Sequence, residues 1–164
     1  MAAVRGLSAL RGHELAARLA LRAKDPATAE RELAQAVAAF PDSARAHLAL
    51  ASFHSGRGDH AKALAQVEAL LSRKPDHMPT RYAFGRMSSM SGLQLERGEK
   101  HLREYLAYTP GPNEPSHAGA HFRIGLIQER RGAKEDAIRS YETAVRLDPA
   151  LRMASDALKK LRGS

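Results

Sequence analysis

Residues 46–77, AHLALASFHSGRGDHAKALAQVEALLSRKPDH, decide the fold. Their first half keeps His47, Leu50, Ala51 and His54 at the spacing of one helix face. Gly58-Asp59 then breaks the run, glycine as the end of one helix and Asp59 as an acceptor for the free N–H groups of the next. The second half places Ala63, Val67 and Leu70 on another helix face and stops at Pro75. The stretch therefore predicts helix, tight turn, helix, stop.

The same grammar recurs along the chain. Pro41, Pro75, Pro110 and Pro149 each close an apolar run and are separated by 34, 35 and 39 residues. Twelve residues before each stands a small side chain, Ala29, Ala63, Gly98 or Ala137. Eight before stand Leu33, Val67, Leu102 and Tyr141, and five before stand Ala36, Leu70, Tyr105 and Ala144. The upstream halves carry the pairs Ala16-Ala17, Leu50-Ala51, Phe84-Gly85 and Ile124-Gly125, whose small members let two helix backbones approach. Asp25 before Pro26 reads as a cap followed by a first-turn proline, and Gly92 and Gly132 read as further turns.

These units resemble the tetratricopeptide repeat, most closely in residues 46–77 and in 120–151, AHFRIGLIQERRGAKEDAIRSYETAVRLDPAL. The resemblance implies an all-α, right-handed superhelical solenoid of four helix-turn-helix repeats, about 10–43, 44–77, 78–112 and 118–151. After Pro149, Leu151, Ala154, Leu158 and Leu161 share one face, as a capping helix over about 151–162 requires. Each repeat buries its stripe against a neighbour, so the expectation is a single domain, 1–164. The third unit has one extra residue between Gly92 and Gly98, and five surplus residues around 111–117 predict looser packing at that junction.

Composition limits the function. The chain has 164 residues, no cysteine and a net charge of +8, which excludes disulfides and thiolate chemistry and invites an acidic partner. No uncharged run approaches the ~18 apolar residues of a membrane span, and Arg11, His13, Glu14 and Arg18 interrupt the region where a secretory signal would keep its apolar core. The reading favours the cytoplasm, with the periplasm as the alternative had a signal peptide been removed. His117 and His121 have a ligand-pair spacing without a third ligand, while His13, His47 and His121 recur in register, which argues for packing and against a metal. No nucleophile elbow, HExxH, P-loop or dinucleotide fingerprint occurs, so neither an enzyme nor a cofactor is expected. Arg57-Gly58-Asp59 is explained by the turn it forms. Nucleic acid is disfavoured because charges on the second helices alternate, as in Glu30-Arg31-Glu32, with no interleaved aromatic to stack on bases.

The resemblance further implies that first helices line a concave groove. Offsetting from the packed face selects Leu48, Ser52 and Ser55, then Glu14, Arg18 and Leu21, Tyr82, Arg86 and Ser89, and Phe122, Leu126 and Glu129. Arg22, Arg45, Met90, Arg123 and Arg130 flank them. Six arginines against two glutamates, among apolar and aromatic neighbours, suit a noncatalytic adaptor for an acidic segment with apolar anchors. The alternatives are a self-associating module joined through Phe122 and Leu126, and a basic nucleic-acid binder. The family's chaperone-tail clamp of Lys, Asn and Arg is not kept: its positions hold Leu48, Ser52, Ala83, Gly119 and Arg123 in the later register, and only Arg123 matches.

Overall fold

The computed structural model describes residues 2–163, with side chains from residue 8 onward. Every regular element among them is an α-helix: α1 (Ala2–Arg22), α2 (Pro26–Ala39), α3 (Ala44–Gly56), α4 (His60–Arg73), α5 (Met78–Ser91), α6 (Leu95–Leu106), α7 (His117–Arg130), α8 (Lys134–Leu147) and α9 (Arg152–Gly163). Contacts divide the chain after Asp76 into a first unit, α1–α4, and a second, α5–α9.

In the first unit α1 pairs with α2 and α3 with α4, and α2 also meets α3. Asp25 caps α2 by accepting the Thr28 N–H at 3.0 Å, and Pro26 opens the helix. Ser43 does the same for α3, accepting from Ala46. Asp59 does not cap α4 through its side chain, contrary to expectation; its own N–H instead reaches back to the His54 carbonyl at 2.9 Å. Gly58 takes the left-handed backbone (φ +82) that closes the α3–α4 turn, a conformation glycine adopts without steric penalty. The core joins Ala17, Ala20, Ala29, Leu33 and Leu50, with Leu10, Ala36 and Ala46 in a neighbouring cluster. Ala63, Val67 and Leu70 of α4 are fully buried.

In the second unit the predicted small residues sit where two helices touch. A Cβ on Gly85 would lie 2.2 Å from Leu102 Cγ, and one on Gly125 would lie 2.4 Å from the Tyr141 ring. A Cβ on Gly98 would meet Ser88 Cβ at 2.4 Å, so glycine's cost in helix propensity is exchanged for close contact between α6 and α5. The extra residue of the third unit falls in its turn: Gly92 is followed by Leu93 and Gln94 before α6 begins, where Gly58 and Gly132 are followed by one residue.

The surplus around 111–117 does not loosen the junction as expected. Glu114 accepts from both the Tyr108 hydroxyl and the Gly111 N–H at 2.8 Å, and these donors hold its carboxyl below the usual range. Tyr105 donates to the Pro115 carbonyl at 2.5 Å while its ring joins Leu102, Ala120, Ile124 and Ile127 in one cluster. The loop is thus tied to the core on which α6 and α7 meet. Beyond it, α9 buries Ala154 fully and, with Leu151 just before it, packs Leu158 and Leu161 against Tyr141 and Ala144 of α8 and Phe122 of α7, the face expected of a cap.

Of the recurrent histidines, His47 is buried, while His13 and His121 are half-buried. His13 Nδ1 lies 3.0 Å from Glu32, His47 Nε2 donates to the Pro41 carbonyl at 3.0 Å, and His117 Nε2 donates to the Tyr108 carbonyl at 2.7 Å. Burial lowers the proton affinity of His54, His101 and His121; for His54 it outweighs the attraction of Glu30 4.0 Å away. A group whose folded pKa lies below its unfolded value leaves stability untouched at high pH. It costs stability once the unfolded chain takes up protons that the fold refuses. The melting temperature is therefore expected to hold from pH 8 to 7 and to fall as pH drops below about 6.5. A differential scanning series over pH 8 to 5 checks this, and a flat profile would contradict the reading that the buried His54 and the half-buried His101 and His121 resist protonation.

Candidate interaction faces

In the first unit, α1 and α3 flank a cavity of about 460 Å³. Ala17, Leu21, Leu33, Ala49 and Phe53 supply its apolar lining, and Arg18, Ser52, Glu14 and Arg45 its polar edge. The lining is apolar because the small residues that allow helix contact leave room between the first helices, and Leu33 of α2 closes part of the space. Leu21 is 48% exposed, an accessible apolar side chain beside a guanidinium. Leu48 is half-buried on α3.

The arginines of this unit are not equivalent. Arg45 is held by Glu14 through both Nε and Nη2, and the carboxylate stabilises its charged form further. Arg45 is thus expected to contribute a fixed ion pair at the cavity edge rather than an unpaired charge, which differs from its sequence-based role as a contact for acidic groups. Arg18 and Arg22 are exposed and form no ion pair among the described residues.

In the second unit, α5 and α7 lie in contact. Tyr82 and Arg86, one turn apart on α5, face Gly119 and Arg123, one turn apart on α7. The Tyr82 hydroxyl would sit 3.1 Å from a Cβ on Gly119, so the missing side chain leaves it room. Tyr82 also packs on Tyr105, ring centroids 5.2 Å apart. Arg123 places its guanidinium carbon 5.3 Å from the centre of the Phe122 ring, and its Nε is buried without a hydrogen-bond partner. Arg86 is half-buried; desolvation and the Arg123 charge both lower its proton affinity.

Four residues selected from the sequence, Phe122, Leu126, Arg130 and Ser89, have other surroundings. Phe122 is 6% exposed, enclosed with Tyr141, Ala137 and Ala154, and Leu126 packs on the same cluster. The capping helix covers them, which removes Phe122 from any open face and from the self-association contact expected of it. Arg130 donates through Nη2 to the Met90 carbonyl at 3.0 Å, satisfying a last-turn acceptor of α5 across 40 residues of sequence. Met90 itself remains exposed. Ser89, placed on the stripe, is buried and bonds its own helix at the Arg86 carbonyl.

The second helices carry their charges differently. Glu99 accepts from Arg103 at 2.6 Å, Arg131 at 3.0 Å and Gln128 at 3.2 Å, and Arg73 meets Asp42 at 2.6 Å. Exposed pairs of this kind contribute about 0–1 kcal/mol each. Their consequence is local neutrality, which sets them apart from the unpaired arginines on first helices. Among the described residues no helix is long and apolar enough to cross a membrane.

Comparison with known proteins agrees with this geometry. Two family models described as tetratricopeptide repeat match residues 20–83 and 92–152. Among solved structures, MamA is similar at a TM-score of 0.73 and 16% identity, over 93% of this chain and 80% of its own. PilF of Pseudomonas aeruginosa gives 0.75 and 18%, over 95% of this chain and 68% of its own. PilW, a widely conserved type IV pilus biogenesis factor, gives 0.77 and 18%, over 93% and 68%. No curated protein matches the chain in sequence. With tetratricopeptide repeat models matching residues 20–83 and 92–152, the chain belongs to the tetratricopeptide repeat family.

Proposed function

We propose that the chain is a noncatalytic adaptor that holds an acidic peptide or protein segment, with one or two large apolar side chains, on its first-helix faces. Tetratricopeptide repeats are protein–protein interaction scaffolds, which is the coarser function the family carries. The observation that supports the finer reading is the α1–α3 cavity: about 460 Å³, lined by Leu21, Leu33 and Phe53, with the unpaired Arg18 at its edge. An apolar side chain would fill the cavity while a carboxylate meets Arg18, so charge speeds encounter and burial slows release. In the second unit, Tyr82, Arg86, Met90 and Arg123 supply the same combination of cation and apolar surface, with Arg22, Leu48 and Ser52 flanking the first.

Fluorescence anisotropy against a library of acidic-apolar peptides, and against random duplex DNA, tests the reading. The wild type is expected to select a subset of peptides, with Arg18→Glu weakening those held by the first unit and Tyr82→Ala those held by the second by about tenfold, or about 1.4 kcal/mol. Salt should weaken the peptides only modestly. A nucleic-acid binder neutralising several phosphates would instead lose roughly a thousandfold between 50 and 200 mM salt and ignore the Tyr82 change. Equal binding of wild type and both variants to every peptide would overturn the assignment of these faces.

A further inference from the structure

Arg86 and Arg123 are half-buried charges without a carboxylate partner among the described residues. Both lie on the α5–α7 face, half-buried, each the other's like-charged neighbour. The remaining second-unit cations near this face are engaged: Arg130 holds the Met90 carbonyl at 3.0 Å, and Arg81 is paired with Glu104. No carboxylate among the described residues pairs with Arg86 or Arg123, and Arg123 Nε is buried without a partner. Two partly desolvated like charges raise the free energy of the unliganded protein, and a bound anion would remove that cost. The Tyr82 hydroxyl stands over Gly119 beside them, a neutral donor at the same face.

We propose that Arg86 and Arg123, with the Tyr82 hydroxyl, form an anion subsite that takes a side-chain carboxylate of the bound segment. The proposal rests on the peptide-adaptor reading for the source of the carboxylate and on the arginine pair alone for the anion. A carboxylate suits the site better than a phosphate. The desolvation cost of an ion grows with the square of its charge, and the site is partly desolvated, with Arg86 and Arg123 half-buried and the Arg123 guanidinium over the Phe122 ring. A phosphate would also recruit the amides at the start of α7, but Ser116 already accepts the Gly119 N–H there at 3.1 Å. The subsite differs from the chaperone-tail clamp, whose other positions hold Ala83 and Gly119.

Arginine Nε–Hε signals in ¹H–¹⁵N spectra read the subsite directly. Succinate, a free dicarboxylate, is expected to shift the Arg86 and Arg123 signals together; unmoved signals would overturn the proposal. The peptide acetyl-Leu-Glu-Phe-Glu-Leu-amide should move the same two signals and bind at least tenfold more tightly than its glutamine twin. Arg86→Met should abolish that difference. It should also raise the melting temperature of the free protein by about 2 °C or more, since it removes one of two like charges; a lower melting temperature would count against the account. Equal binding of the glutamate and glutamine peptides with both signals unmoved would overturn the subsite and leave the adaptor reading standing. Succinate shifts without binding of any peptide would support the subsite and overturn the adaptor reading. Tighter binding of a phosphoserine twin than of the glutamate peptide would overturn the carboxylate assignment.

Discussion

Ala63→Arg is expected to lower stability by about 3–5 kcal/mol and the melting temperature by about 10 °C. Ala63 is 0% exposed on α4, the helix that pairs with α3, whose Ala51 is equally buried. Arginine there must either force the helices apart, at about 1–3 kcal/mol of overpacking, or bring a guanidinium into apolar surroundings without a partner. Ala65→Arg on the same helix is the control. Ala65 is exposed, so its change should stay within about 0.5 kcal/mol. Urea titrations of both variants check the pair. If Ala63→Arg melts within a degree or two of the parent, the register of the α3–α4 contact is wrong.

Gly85→Ala is expected to cost about 2–3 kcal/mol even though alanine is the better helix former by about 1 kcal/mol. The new methyl would lie 2.2 Å from Leu102 Cγ and 2.8 Å from the Gly98 carbonyl oxygen. Leu102 is fully buried and the carbonyl is backbone, so neither can yield without moving α6. Gly12→Ala provides the opposite sign. It lies inside α1 with no atom within 4 Å of the added methyl, and helix propensity predicts a gain of about 0.5–1 kcal/mol. Thermal unfolding of the two variants beside the parent measures both, and a stabilising Gly85→Ala would show that the α5–α6 approach is looser than described.

The periodic parts of this architecture are legible in the sequence because they are dictated by contacts within one helix pair. Ala29, Ala63, Gly98 and Ala137, twelve residues before the prolines, are all buried, and so are the residues eight and five before. Close approach of backbones leaves no choice of side chain there, so the pattern is explicit. The faces were less legible. A helical offset says which side of α1 or α7 a residue occupies and nothing of what covers that side. Phe122 sits on the stripe with Leu48 and Tyr82, yet α9 encloses it, a consequence of packing that begins thirty residues later in the chain. Arg45 and Arg130 looked like Arg18 and Arg86 in the sequence. Their partners, Glu14 and the Met90 carbonyl, are distant in sequence and become visible only when helices are placed together. Asp59 had the residue type and position of a cap, but the turn after Gly58 uses the backbone N–H instead.

The unequal arginines carry the functional argument further than net charge does. A charge of +8 attracts any polyanion, whereas Arg18 at an apolar cavity and Arg86 beside Arg123 select for a ligand that offers carboxylates and apolar side chains together. On the second helices Arg103 and Arg139 are paired with Glu99 and Asp136, which breaks up any continuous track for phosphates.

Amide chemical-shift mapping with the tightest-binding acidic-apolar peptide tests the central claim most directly, because it shows where the segment sits. The account predicts perturbations on the first helices of the unit that holds the segment: around Arg18 and Leu21 of α1 and Ser52 of α3 in the first, or around Tyr82 and Arg86 of α5 and Arg123 of α7 in the second. The outer residues of α2, α4, α6 and α8 should remain unmoved. Perturbations concentrated on those second helices, around Glu99, Arg103 and Arg139, would contradict it.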